Sequence, residues 1–93
     1  PNEKGNTPMS SYALEKAMWT VGTSPEEAEK FRQSPAAYAE QFNLDADEKV
    51  SLATLAVGDM ARRGASTLLL LMGFMAVNGP GGMGEYMRRI NQK

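Results

Sequence analysis

The sequence predicts an all-α fold, a compact orthogonal bundle of about five to six short helices. Three observations support this expectation. Apolar residues recur at intervals of three and four along most of the chain, helix-capping signals divide it into short segments, and no segment alternates apolar and polar residues long enough for a strand. The 93 residues are the length of one domain. We expect a flexible lead-in over 1–9 and a single helical domain over 10–93.

The first two helices are predicted from their start and stop signals. Ser10 or Ser11 can cap a first helix, which should end at Gly22. The second helix should begin at Ser24-Pro25, because a serine before a proline at the first helical position is a strong start signal. Glu27, three residues after Ser24, completes a capping-box pattern.

A similar signal starts a third short helix. Ser34-Pro35 repeats the serine-proline start ten residues later. Tyr38 and Phe42 follow it four residues apart, so their rings are expected to pack on one face. Asn43 is then expected to end the segment in a left-handed conformation.

The fourth helix is predicted to run without interruption from the acidic start to the two arginines. Asp45 and Glu48 fit a capping box, and their charges suit the positive end of a helix dipole. Gly64 supplies the stop after Arg63. Gly58 then falls inside the helix, at a cost of about 1 kcal/mol, and marks either a close helix crossing or a local kink.

The last third of the chain contains the most apolar segment. Ser66 or Thr67 begins a helix over Leu68–Val77 that is apolar almost all round, which indicates burial on most of its sides. A glycine-rich loop over Asn78–Gly82 and a short final helix over Met83–Ile90 follow. In so small a domain, part of the apolar helix is expected to be left for a partner.

Composition excludes several classes of function. The chain has no histidine and no cysteine, so it can build neither a Ser-His-Asp triad nor a zinc-thiolate site. Ten basic residues against eleven acidic ones give no footprint for nucleic acid. The arginine pairs Arg62-Arg63 and Arg88-Arg89 are interpreted as solvated helix faces. We expect a cytoplasmic protein that is not catalytic on its own.

Neither the apolar helix nor the glycine-rich loop indicates a membrane span or a nucleotide site. A span needs about 20 apolar residues, and Ala65–Val77 is shorter and includes two hydroxyl residues and a glycine. The segment GPGGMG lacks the lysine of a phosphate-binding loop, and no predicted strand precedes it. We interpret the loop as a flexible turn and most of the seven methionines as core.

The order and spacing of these signals resemble a known family. The chain resembles the small alpha subunit of protocatechuate 4,5-dioxygenase, a domain that also occurs fused to related extradiol dioxygenases such as gallate dioxygenase. The resemblance covers about residues 14–91. It is carried by F-x-x-S-P-x-x-Y from Phe31 to Tyr38, Phe42-Asn43-Leu44, Asp47-Glu48, G-D-x-x-x-x-G from Gly58 to Gly64, the apolar helix, Gly79-Pro80, and E-Y-M-R-R from Glu85 to Arg89.

The resemblance implies an accessory role in aromatic-ring cleavage. In that family the ferrous iron, its ligands and the catalytic base belong to the large subunit, so no cofactor, metal or catalytic residue is expected in this chain. The small subunit packs on the large one and helps to cover its substrate pocket. We place this lid role on residues 71–83. The expected partner contacts are Met72, Phe74, Met75, Asn78 and Met83.

Two other functions remain open. Domains similar to this one also serve as recognition modules in precursors of ribosomally made peptides, where they dock a modifying enzyme such as a backbone methyltransferase. The sequence shows no core peptide after its last predicted helix, which favours the dioxygenase interpretation. The alternative is a stand-alone interaction domain, and self-association through the apolar helix is possible in any of these cases.

Overall fold

The structure, a computed structural model, describes residues 7–91, with side chains from Tyr12 onward. It confirms the all-α prediction, since no strand occurs in that range. A 3-10 turn at Pro80–Gly82 separates the last two helices. The seven helices are α1 Thr7–Thr23, α2 Pro25–Gln33, α3 Pro35–Ala39, α4 Ala46–Ala53, α5 Val57–Arg62, α6 Thr67–Asn78 and α7 Met83–Ile90.

Helix α1 extends beyond both of its predicted ends. It begins at Thr7, so Ser10 and Ser11 lie within the helix and do not cap it, and three residues of the expected lead-in belong to it. Pro8 is compatible with this start, because a proline in the first turn loses no helical hydrogen bond. At the other end the helix continues through Gly22 to Thr23. The rest of the expected lead-in, 1–6, lies outside the described residues.

The second and third helices both begin at their predicted serine-proline signals, but only the second has a side-chain cap. The Ser24 hydroxyl accepts the Glu27 amide at 3.3 Å and caps α2 as predicted. The Glu27 carboxylate does not return to Ser24 but accepts the Tyr38 hydroxyl at 2.9 Å, which ties α2 to α3. Ser34 precedes α3 without a side-chain cap. The prediction of a complete capping box at Ser24 was therefore wrong, because Tyr38 takes the carboxylate.

The turn after α3 differs from the predicted stop. Tyr38 and Phe42 pack as expected, with ring centroids 5.5 Å apart. The helix, however, ends at Ala39, and Asn43 does not adopt a left-handed conformation. A hydrogen bond from the Leu44 amide to the Phe42 carbonyl, at 2.9 Å, closes the turn instead. A positive φ at Asn43 is then not needed to reverse the chain.

The predicted fourth helix is two helices. The capping box at Asp45 and Glu48 is confirmed, with both hydrogen bonds at 2.8 Å. The helix then stops because Leu55 has a φ of 51°, in the left-handed region. The amide of Leu55 bonds the Leu52 carbonyl and that of Ala56 bonds the Ser51 carbonyl, which is the Schellman pattern of a helix end. Leu55 thus occupies a position that usually belongs to glycine.

The same end motif recurs after α5, where the prediction was correct. Gly64 has a φ of 102°, and the amides of Gly64 and Ala65 bond the carbonyls of Ala61 and Met60. Gly58 is the second residue of α5 and lies after the break, not within a continuous helix. Leu55 made the break hard to predict, because a left-handed leucine costs about 1–2 kcal/mol in backbone energy and its side chain is buried in the core.

Helix α6 begins with a cap supplied by another helix. The Ser66 side chain makes no cap hydrogen bond. The Ser66 amide instead donates to the Glu15 carboxylate of α1 at 2.6 Å. The far end of α6 continues to Asn78, and Gly79, with a φ of 80°, precedes the 3-10 turn. The expected loop over Asn78–Gly82 is therefore mostly regular structure, whereas the final helix matches its predicted bounds.

The closest packing in the fold joins α1 to α6. A methyl group on Gly22 would lie 3.1 Å from Cβ of Met72, and one on Gly73 would lie 2.4 Å from Cε and 3.1 Å from the carbonyl oxygen of Met18. Both glycines therefore allow the two helices to approach each other. Glu15 reaches Ser66 at the start of α6, whereas Met18 and Gly22 contact its middle at Gly73 and Met72.

We predict that Gly73→Ala destabilises the fold by about 1–3 kcal/mol, because the added methyl overfills the contact with the fully buried Met18. Gly84→Ala is the matched control. Gly84 is helical and has nothing within 4 Å of an added Cβ, so this change should stabilise by about 0.5–1 kcal/mol. Urea denaturation followed by circular dichroism measures both. Equal effects of the two substitutions would contradict the close-contact interpretation.

Candidate functional site

The outward side of α6 is as apolar as its buried side. Leu70, Gly73 and Phe74 are buried. On the other side, Leu68 is 65% exposed. Met72 and Met75, at helical spacing from it, are partly buried, Met72 beside Gly22 of α1 and Met75 against the core, and each leaves part of its surface exposed. Polar residues normally occupy the solvent side of such a helix, so this side of α6 has the composition of a contact surface.

Helix α1 extends this surface with two aromatic residues. Tyr12 and Trp19 lie seven residues apart, two helical turns, and are 66% and 54% exposed. With Leu69 of α6 and the stems of Glu15 and Lys16, they line a shallow cavity of about 320 Å³. We call this combined surface the apolar face. Its members are Tyr12, Trp19, Leu68, Leu69, Met72 and Met75.

The five predicted partner contacts do not share one surface. Met72 and Met75 belong to the apolar face, and Asn78 and Met83 are exposed at the far end of α6 and the start of α7. Phe74 is 1% exposed and packs edge-on against Tyr86, with ring centroids 5.7 Å apart. Its predicted partner contact does not fit this structure, because its position on α6 turns it toward the chain's own core.

The glycine-rich segment closes on itself beside that core. The Gly82 amide bonds the Gly79 carbonyl at 3.0 Å. A methyl group on Gly82 would lie 3.1 Å from Cβ of Asn78 and 3.3 Å from the Phe74 ring. Three of the nearby glycines, Gly79, Gly81 and Gly84, have open space at Cβ. Gly82 thus lies close to α6, whereas Gly81 is exposed. Both belong to residues 71–83, which were predicted to form a lid.

A second feature arises where the two arginine pairs meet. A cleft of about 250 Å³ between α5 and α7 is lined by arginines from both pairs, namely Arg62, Arg88 and Arg89. From the sequence, these pairs were interpreted as solvated helix faces. We refer to the cleft as the arginine cleft; its lining residues are Thr54, Ala56, Gly58, Asp59, Arg62, Arg88 and Arg89. The sequence interpretation missed it, because the two pairs are more than twenty residues apart and only the turn at Leu55 brings their helices together.

Two carboxylates order the arginines around this cleft. Asp59 accepts Nε of Arg63 at 2.8 Å and lies 3.9 Å from Arg62, and it also accepts the Ser51 hydroxyl. Glu85 accepts Arg88 at 2.5 Å and Nε of Arg89 at 2.6 Å. Each carboxylate is thus shared by two guanidinium groups one turn further along its own helix.

Arg89 also fixes the backbone of the left-handed turn. Its Nη1 donates to the carbonyls of Thr54 and Leu55 at 3.1 and 3.2 Å. Its guanidinium carbon lies 5.3 Å from the centroid of the Phe74 ring, within the range of a cation–π contact. The Leu55 carbonyl also accepts the Val57 amide at 2.9 Å, so Arg89 adds a second donor there and ties α7 to the end of α4.

The charges at the cleft are those of ionised groups. The hydrogen bonds of Arg63, followed by that of Ser51, hold the pKa of Asp59 below its ordinary value. Arg88, followed by Arg89, lowers the pKa of Glu85. The Glu85 carboxylate in turn raises the pKa of Arg88. At neutral pH, Asp59, Glu85 and Arg88 therefore carry their charges.

The buried polar groups are explained by structural roles. Glu48, 2% exposed, belongs to the capping box. Tyr38 donates to Glu27, and burial together with that carboxylate raises the pKa of the phenol strongly. Over residues 7–91 no group of three or more acidic residues is arranged to hold a metal ion, and no helix in that range is long and apolar enough to cross a bilayer.

Comparison with known proteins gives no relative on which to base an assignment. No family model matches the chain, and neither a curated protein nor a solved structure is similar to it. The function proposed below therefore depends on the apolar face and on the motif resemblance.

We predict that acid destabilises the fold partly through Asp59. Because its folded pKa is lowered, its stabilising contribution is complete above the ordinary pKa and is lost as the pH falls through the folded value. The free energy of unfolding in urea should thus decrease between about pH 5 and about pH 2, and decrease less in Asp59→Asn. Equal losses in the two proteins would show that Asp59 does not contribute.

Proposed function

We propose that this chain is the non-catalytic small subunit, or small domain, of an extradiol aromatic-ring-cleavage dioxygenase of the cytoplasm. In this proposal it packs on the iron-bearing large subunit through the apolar face and helps to cover the substrate pocket. The observation that carries the proposal is the apolar outward side of α6, which adjoins two exposed aromatic residues of α1.

Burial of this face supplies enough free energy for association. Each large apolar side chain that becomes fully buried contributes about 1.5–3 kcal/mol. Trp19 and Leu68 are each more than half exposed, and aromatic residues are enriched among the residues that dominate interfaces. Lys16 and Glu15 lie at the cavity between the helices, so charged groups accompany an apolar centre, as at many protein interfaces.

In this proposal, the class of partner is inferred from the order of the sequence motifs. Any partner could use an apolar face, but the resemblance from Phe31 to Arg89 favours the large extradiol subunit. Met72 and Met75 support both the contact surface and the lid assignment, since they belong to the apolar face and to the predicted lid segment. Methionine adapts its shape to an irregular partner surface, which suits a cover over a pocket. Ferrous iron would be held by the large subunit.

We predict that Trp19→Ser combined with Leu68→Ser prevents assembly with the large subunit. Both side chains are exposed, so the chain should still fold, whereas binding should weaken at least about tenfold for each 1.4 kcal/mol of lost burial. The measurement is co-purification from cells that express both chains, followed by oxygen consumption with catechol-type acids. Phe74 is left unchanged because its removal would open the core.

Val50→Ser is the matched control, since Val50 is 62% exposed on α4, outside the apolar face. It should leave both co-purification and oxygen consumption unchanged. Equal assembly of all three proteins would contradict the proposed contact surface. A chain that stays monomeric beside large extradiol subunits would contradict the proposed function, and capture of a peptide-modifying methyltransferase instead would support the precursor alternative.

A further inference from the structure

The arginine cleft has a chemistry that the proposed subunit contact does not use. Its lining carries three arginines and one aspartate, a net charge of +2 from 3 − 1, in a chain whose overall net charge is −1. Glu85 and Arg63 flank it with opposite charges. The carboxylates of Asp45 and Glu48 also interact electrostatically with Arg63. Positive charge is thus concentrated on the lining itself.

Two of the three arginines that line the cleft, Arg88 and Arg89, are held in place before any ligand binds. Arg88 donates Nε and Nη2 to the two oxygens of Glu85, at 3.0 and 2.5 Å, a bidentate contact that fixes the plane of its guanidinium. Arg89 is fixed by Glu85, two backbone carbonyls and the Phe74 ring. Such ordering reduces the conformational entropy that a ligand would have to remove.

The cleft also has the size and wall chemistry for a small ligand. Its volume of about 250 Å³ exceeds that of several water molecules, each of which takes about 30 Å³ of liquid. Arg62 and Arg88 are 55% and 63% exposed, which leaves part of each guanidinium accessible from solvent.

We propose that the arginine cleft binds a doubly charged phosphate-type oxyanion, either free phosphate or a small phosphate monoester. Guanidinium groups match the geometry of phosphate oxygens with several donors at once. The two excess positive charges of the lining match the charge of the dianion. The site is separate from the apolar face, so it does not depend on the dioxygenase assignment.

The test uses the full chain alone and inorganic phosphate. Isothermal titration calorimetry at constant ionic strength should show saturable binding with a Kd on the order of 1 mM, and phosphate should raise Tm relative to chloride. Sulfate, also a dianion, should compete. Titration with glycerol phosphate distinguishes a monoester site from a site for the free ion: tighter binding supports the monoester, and weaker binding supports free phosphate.

Arg62→Gln combined with Arg88→Gln should weaken phosphate binding at least about tenfold. Lys16→Gln combined with Lys30→Gln removes the same total charge from α1 and α2, outside the cleft, and should change Kd less than about twofold. Circular dichroism confirms that each variant is folded. Absence of saturable binding, or equal weakening in both double variants, would overturn the proposal.

Discussion

The approach of α1 to α6 at two glycines sets the rest of the architecture. Gly22 and Gly73 remove the side chains that would hold the helices apart, so Met18 can lie against the backbone of α6. The carboxylate of Glu15 then reaches the first amide of α6. With this pair in place, α6 has one side in the core and the other outward, and Trp19 lies beside Leu69. The apolar face is thus a direct result of the helix pairing.

The other half of the domain contains two sets of ion pairs, one along α5 and one along α7, and Arg89 joins α7 to the turn before α5. Glu85 and Asp59 each gather two arginines, and Arg89 spans from Glu85 to the carbonyls of the turn at Leu55. Lysine could not replace Arg89 in this role, because a single ammonium cannot present donors in a planar fork while stacking on Phe74. Phe74 connects these two parts of the domain, because it belongs to α6 and its ring contacts the guanidinium of Arg89.

Local signals in the sequence predicted some of the features that depend on neighbouring residues. The capping box at Asp45 and Glu48 and the stop at Gly64 are of this kind, since the groups that bond are a few residues apart. The break at Leu55 could not be predicted in this way, because tertiary burial and the contact with Arg89 stabilise a conformation that leucine alone avoids. The same limit applied to Phe74: a helix that is apolar all round does not reveal its buried side.

The pairing of α1 with α6, which are distant in sequence, has a consequence for the order in which the chain acquires structure. Contacts such as Glu15 with Ser66 and Gly22 with Met72 join residues about fifty positions apart. During synthesis, α1 leaves the ribosome well before its main packing partner exists, and Leu14 and Met18, which are fully buried in the folded domain, have no lasting cover until α6 has emerged. Folding therefore has to wait for most of the chain, and the nascent N-terminal half is the species most exposed to aggregation and to chaperones.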